Sequence, residues 1–174
     1  RYIGKKYITA RREMGFLVPS KGYEYATIKG HKCAIIVGDD LSRERDFDQS
    51  VETVISINAR KYGKGTMTYR YEMMRNLAFV ESKNLVLVNQ VGGSTDIVYD
   101  GTSGALNSRG ELVLMMKNFE EDFQIFDTKA SARPITIPST YNDRTRLVYE
   151  AARCGLRDFF RKNGYRKASI GLSG

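Results

Sequence analysis

Two thiols, one imidazole and an adjacent pair of carboxylates are the side chains of this sequence that could begin chemistry unaided: Cys33, Cys154, His31 and Asp39-Asp40. One His and two Cys fall short of the four ligands of an ordinary structural zinc site. Cys33 sits in the run Cys33-Ala34-Ile35-Ile36-Val37 and reads as a buried apolar thiol. Cys154 is distant and lies in a helical segment, so a disulfide framework is not expected and a reducing compartment fits. Asp39-Asp40 could be a metal-binding pair, but within Gly38-Asp39-Asp40-Leu41-Ser42 turn and cap duty is the commoner explanation. His31, in Lys29-Gly30-His31-Lys32, reads as a solvated turn residue. Gly92-Gly93 could cradle a phosphate, yet without a following helix and a lysine a loop needing positive φ explains it better.

The elements that must position these groups can be traced from periodicity. Tyr23 to Ile28 and Cys33 to Val37 read as strands joined by a glycine-containing hairpin. Asp48 to Val54 suggests a short helix and Thr53 to Asn58 a strand. Met67 to Ser82 has helical period, with Met67, Tyr71, Met74 and Ala78 on one stripe and Met73, Leu77 and Val80 beside it. Leu85 to Gln90 is a buried-strand run, Val91 to Asp96 is turn-rich, and strands follow at 97–99, 104–106 and 111–115. This order predicts an α/β layered sandwich. Residues 129–143, with Pro134 and Pro138, read as a linker. Beyond it, Asp143 or Thr145 can cap a helix striped by Val148, Ala152, Gly155 and Phe159, with Leu147, Ala151 and Leu156 widening it. Asn163-Gly164 closes that helix, and Ala168 to Leu172 reads as a short strand.

The formal charge is +8, from 28 Lys plus Arg against 20 Asp plus Glu. It is unevenly spread: +6 over residues 1–32, −5 over 33–128 and +7 over 129–174. A basic stripe interleaved with exposed aromatics on the main sheet, the usual footprint of a nucleic-acid module, is therefore not expected. No apolar run approaches the roughly 18 residues that would span a bilayer, and no signal peptide opens the sequence, so the expectation is a cytoplasmic protein without a membrane partner.

Several separate motifs then fall in one order. Val88-Asn89-Gln90-Val91-Gly92-Gly93, Val98-Tyr99-Asp100-Gly101 with Ser103, and Phe119-Glu120-Glu121-Asp122 are followed by Val148-Tyr149-Glu150-Ala151, Gly155-Leu156-Arg157-Asp158, Arg161-Lys162-Asn163-Gly164-Tyr165 and Gly171-Leu172-Ser173-Gly174. Together they resemble the glutaminase domain of glutamine-dependent NAD synthetases, a branch of the nitrilase superfamily, running into the opening of the SGGxDS pyrophosphate loop. The resemblance implies an α/β nitrilase-like (carbon-nitrogen hydrolase) αββα sandwich, incomplete at its N-terminal side, plus the first helix and strand of a Rossmann-like synthetase domain. It divides the chain into a C-terminal glutaminase part at 1–128, a linker at 129–143 and the start of the ATP-pyrophosphatase domain at 144–174. It also places the catalytic glutamate upstream of Arg1.

In that family glutamine hydrolysis supplies ammonia for ATP-dependent amidation of nicotinic acid adenine dinucleotide. Such an amidase needs a thiolate, a carboxylate to move protons and a lysine ammonium near the developing oxyanion. Lys5 matches the family's lysine, with Lys6 the alternative by one residue. The family's Cys-Glu-Asp-Leu is matched by Gly38-Asp39-Asp40-Leu41, so Gly38 stands where the nucleophile should be. Cys33 cannot replace it, being five residues earlier and of opposite strand parity. Where relatives read Asn-Ala-Ser-Pro-Phe, this sequence has Asn58-Ala59-Arg60-Lys61-Tyr62, and Asn58 and Arg70 carry over as substrate-binding candidates. Ser173 and Gly174 carry over as ATP-loop residues. No metal site or cofactor is expected within the segment, with ATP and Mg2+ expected for the full synthetase domain.

The expectation is therefore a segment of a glutamine-dependent NAD synthase whose glutaminase site is inactive. Its expected partners are glutamine, ATP, nicotinic acid adenine dinucleotide, its own synthetase domain and a second copy in a homo-oligomer. The alternative is a basic binding or scaffold module without catalysis, directed at nucleic acid, an anionic surface or an oligomer interface.

Overall fold

A computed structural model of the chain describes residues 4–8, 14–42, 47–125, 127–128 and 133–173, with Asp39 described in its backbone only. Strands β1 (Glu24–Ile28) and β2 (His31–Val37) pair antiparallel across Lys29-Gly30. Both turn residues have positive φ, 49° and 86°, the geometry of a two-residue hairpin. The hairpin is thus tighter than the sequence suggested, and His31 and Lys32 belong to β2. His31 is correspondingly not a solvated turn residue: its Nδ1 lies 2.7 Å from Glu52 Oε2.

β2 runs parallel to β3 (Thr53–Asn58), and β3 runs parallel to β4 (Asn84–Asn89). The short helix expected over 48–54 does not form. Asp48 instead closes a turn, accepting from the Ser50 amide at 2.9 Å through its carboxylate and from the Val51 amide at 3.0 Å through its carbonyl. The helical turn in this connection is the 3₁₀ segment Gly38–Ser42.

Helix α1 (Thr66–Glu81) crosses from β3 to β4 and buries Met67, Tyr71, Met74, Leu77 and Ala78, the expected stripe, while Val80 is exposed. These side chains form one core with Ala34, Ile36, Val54, Leu85 and Leu87, which alternate onto the same face of the sheet. After β4, the strands β5 (Val91–Ser94) and β6 (Ile97–Asp100) form a separate hairpin, so Gly92-Gly93 lies in a strand rather than a loop. Strands β7 (Gly104–Leu106) and β8 (Leu112–Met115) then return to the main sheet, whose order is β1-β2-β3-β4-β7-β8.

Residues 133–138 run extended along β8, where the Ile135 amide donates to the Leu112 carbonyl at 2.8 Å. Helix α2 (Arg144–Asn163) starts at Asp143, whose carboxylate accepts from the Arg146 amide, and ends at Gly164 in the left-handed region. It docks on the β5–β6 hairpin. Its buried residues are Ala151, Cys154 and Asp158, whereas Val148, Leu156 and Phe159 of the expected stripe are about half exposed or more. Residues 168–172 form no strand among the described residues, and Ile170 and Leu172 are exposed.

Candidate functional site

Parallel strands β2, β3 and β4 end side by side, and the carboxyl edge of such a sheet is where open α/β folds hold their ligands. β2 ends at Val37, and Gly38 turns out of it at φ 61°, a left-handed conformation. A Cβ added there would lie 3.4 Å from Lys5 Cε and 3.5 Å from Lys5 Nζ. The residue matched to the nucleophile and the residue matched to the lysine are therefore neighbours, although 33 positions separate them.

Asp40 produces this neighbourhood. Its buried carboxylate accepts from the backbone amides of Lys6 and Tyr7, both at 2.8 Å, and so anchors the segment that carries Lys5. A carboxylate bonded to two amides meets the requirement that buried charge be compensated by hydrogen bonds. Of the Asp39-Asp40 pair, Asp40 thus has a positioning duty; the side chain of Asp39 lies outside the described residues. The sequence signal for this role was the Asp of Cys-Glu-Asp-Leu, with nothing to indicate its partners.

The two cysteines are unsuited to nucleophilic duty. Burial pushes the Cys33 thiol up from its ordinary range, with the charge of Glu52 adding to the effect. Cys154 is raised likewise by burial first and then by Asp158. Thiols held in the neutral form are inert. Cys33 donates to the His31 carbonyl at 3.7 Å, away from the edge where Gly38 lies.

Asn58 and Arg70 are placed differently. Asn58 is buried at the end of β3, its Nδ2 donating to Ser56 Oγ at 2.7 Å while Oδ1 has no hydrogen-bond partner among the described residues. Arg70 is fully buried in the apolar stripe of α1, one turn after Met67. Its Nη2 donates to both oxygens of Asp100 at 2.9 Å and its Nη1 to the Gly101 carbonyl at 3.0 Å. The guanidinium fork is thus consumed by a structural ion pair, and among the described residues Nε has no partner. Its spacing was the available warning: position 70, three after Met67 and four before Met74, shares their buried face, and an arginine there requires a carboxylate.

That carboxylate comes from one of the sequence motifs. Asn89 donates from Nδ2 to Asp100 Oδ1 at 3.1 Å and to the Gly101 carbonyl at 3.0 Å. Asn89 Oδ1 accepts the Arg60 amide at 2.8 Å, and Ser103 Oγ accepts the Asn89 amide at 2.9 Å. Asn89, Asp100, Gly101 and Ser103 form one buried network that ties β4, β6 and α1 together.

The glycine motifs meet in a second place. Asp158 of α2 accepts the Gly93 amide at 2.7 Å and the Arg157 Nε at 2.9 Å, and Lys162 donates to the Gly93 carbonyl. A Cβ on Gly93 would lie 3.0 Å from Gly155 Cα, and one on Gly155 would lie 3.0 Å from Val98 Cγ2. Only glycines permit this approach of helix to hairpin. Gly92, at φ 111°, does have the positive φ expected of the pair, and its missing Cβ makes room for Asp158. The arrangement binds a helix, not a phosphate. Ser173 is exposed, and Gly174 lies outside the described residues.

No family model matches the chain. Among curated proteins it is similar to the glutamine-dependent NAD(+) synthetase of Acinetobacter baylyi, at 28% identity over 163 residues, 89% of this chain and 30% of the relative. It is also similar to that of Synechocystis, at 29% over 169 residues, 87% of this chain and 30% of the relative. The chain thus spans about a third of the length of the curated relatives it matches. Among solved structures, the glutamine-dependent NAD+ synthetase of Acinetobacter baumannii with ADP superposes with a TM-score of 0.73 at 24% identity, covering 93% of this chain and 32% of that one. A carbon-nitrogen hydrolase from Helicobacter pylori superposes at 0.58 and 19% identity, covering 67% and 48%. The nitrilase-type α/β fold and the resemblance to these synthetases, both expected from the motifs, are borne out.

Proposed function

We propose that the chain is a segment of a glutamine-dependent NAD+ synthetase whose glutaminase site has lost its nucleophile. Residues 1–128 are the C-terminal part of the glutaminase domain, 129–143 the linker and 144–174 the start of the synthetase domain. The observation that carries the reading is Gly38 seated against Lys5 on the Asp40 anchor. The frame of an amidase site is retained there, with no cysteine at its nucleophile position. By comparison with removal of the nucleophile from a catalytic triad, turnover of glutamine falls by about 10^6.

The residues present fit the remaining duties of such a site. Lys5 supplies a cation beside the position where an oxyanion would develop, and Asp40 holds it there through the backbone. Asn58 and Arg70 occupy the positions matched to substrate binding, with the Arg70 fork committed to Asp100 and Gly101. Ammonia, ATP, Mg2+ and nicotinic acid adenine dinucleotide belong to the synthetase domain, of which Ser173 and Gly174 would open the phosphate loop. Two residues do not hold a nucleotide.

Ammonia release from glutamine, measured in the full-length protein, tests the reading. The parent is expected to show none above background, and Gly38→Cys to restore it provided the upstream glutamate is present. Clear hydrolysis by the parent would remove the claim of an inactive site.

A further inference from the structure

Lys5 and Lys6 are adjacent, yet they serve different neighbours. A Cβ at position 38 would lie 3.4 Å from Lys5 Cε and 3.5 Å from Lys5 Nζ, whereas the Lys6 ammonium sits over the Tyr23 ring, 4.2 Å from its centroid, and 5.2 Å from that of Tyr7. A cation over the face of an aromatic ring is attracted by the ring's quadrupole. We infer that Lys6 is a positioning residue: seated on Tyr23, it holds residues 4–8 in the register that presents Lys5, and not itself, to the nucleophile position.

The ring that receives Lys6 is itself anchored. Tyr23 packs on Phe47 with centroids 4.8 Å apart and planes tilted by 39°, and Phe47 is buried in the main core. Tyr23 also immediately precedes β1, so its backbone is carried by the sheet. Three residues earlier, the Ser20 amide donates to the Lys5 carbonyl at 2.9 Å. The stretch entering β1 thus touches the lysine segment twice, once through backbone and once through a side chain. Asp40 holds the same segment from the end of β2, through the amides of Lys6 and Tyr7.

These backbone bonds alone leave the register open. An amide offered to a carboxylate or a carbonyl carries no side-chain identity, so a slip of one residue preserves their chemistry, and side-chain packing must decide. A slip that brings Lys6 to position 38 would put Tyr7 over Tyr23 and forfeit the cation–ring contact. The Lys6–Tyr23 pair is the contact that distinguishes the two registers.

The inference rests on the reading of position 38 as the lost nucleophile, and its test needs no substrate. In the full-length protein, Gly38→Cys places a thiol beside Lys5, and iodoacetamide alkylation followed against pH reads its ionisation, with the parent as blank. A nearby ammonium favours the thiolate, so the midpoint is expected below the ordinary thiol range. Added to Gly38→Cys, Lys5→Met is expected to raise that midpoint by about one pH unit, and Tyr23→Leu or Lys6→Gln by about half as much. Lys6→Arg, which keeps a cation on the ring, and Lys21→Met, which removes an exposed cation of the same stretch, are expected to leave it unchanged. Tyr23→Leu alters no charge, so a rise there reports displacement of Lys5 and not a lost charge. Should Tyr23→Leu fail to fold, Lys6→Gln in about 0.5 M salt decides, because loss of a remote charge is screened away there and displacement of Lys5 is not. A rise that vanishes in salt overturns the inference. So does an unchanged midpoint in Lys5→Met, or in both Tyr23→Leu and Lys6→Gln. Failure of Gly38→Cys to release ammonia would strike the glutaminase reading and leave the positioning of Lys5 standing.

Discussion

At φ 61°, position 38 has a backbone that glycine adopts freely and other residues adopt under strain of about 1–3 kcal/mol. Gly38→Ala and Gly38→Cys are both expected to lower stability by about 1 kcal/mol in urea unfolding, since the space beside Lys5 accommodates a Cβ. Only the cysteine variant should release ammonia, which separates strain from chemistry. Arg70 invites the opposite test. Arg70→Met leaves Asp100 as an uncompensated buried charge and should cost about 3–5 kcal/mol, whereas an arginine that merely held a ligand would change stability by about 0.5 kcal/mol or less. Gly38 and Lys5, the latter with Lys6 as its alternative, were singled out in the sequence because a motif marks each position. The anchoring role of Asp40 and the pairing of Arg70 were not, because their partners lie 30 or more residues away and no local pattern names them.

Helix α2 illustrates why elements are easier to read than their orientation. Its closure at Asn163-Gly164 followed from capping chemistry, and of the two candidate caps, Asp143 and Thr145, the structure uses Asp143. Its buried face followed only in part: the apolar stripe includes Ala151 and Gly155, which dock, but also Val148, Leu156 and Phe159, which do not, and it omits Cys154 and Asp158. Close backbone approach and two polar bonds to Gly93 decide the rotation there, and neither is a hydrophobic signal. Arg157 and the Gly93 amide, the former foremost, hold the Asp158 carboxyl below its ordinary value of 3.8. A folded-state value below the unfolded one contributes stability that is present above the unfolded value and lost as pH falls through the folded one. Acid melts should therefore show a stability loss below about pH 4 that Asp158→Asn lacks, the variant being less stable than the parent at neutral pH.

On the scale of the whole molecule, part of the charge at the C-terminal end finds partners within the same region, although most of its cations face solvent. Arg153 pairs with Glu150 at 2.6 Å, Arg157 with Asp158, and Arg146 donates to the Thr140 carbonyl at 3.0 Å. The +7 of that region was legible from composition, but its internal partners were not. No helix among the described residues is long and apolar enough to cross a membrane. The sheet face opposite α1 is apolar and open, with Ile57 43% and Val88 48% exposed at paired positions. Residues 1–174 produced alone are expected to self-associate in sedimentation at tens of micromolar, and the pair Ile57→Lys and Val88→Lys to shift them toward monomer. The interlock of Gly93 with Asp158 also sets a schedule. Its halves are 65 residues apart, so a ribosome adding about 5–20 residues per second exposes the β5–β6 hairpin for roughly 3–13 s before the helix that seals it emerges. During that interval the two glycines leave the hairpin with little side chain of its own to bury, and slower translation downstream would lengthen its exposure to chaperones and proteases.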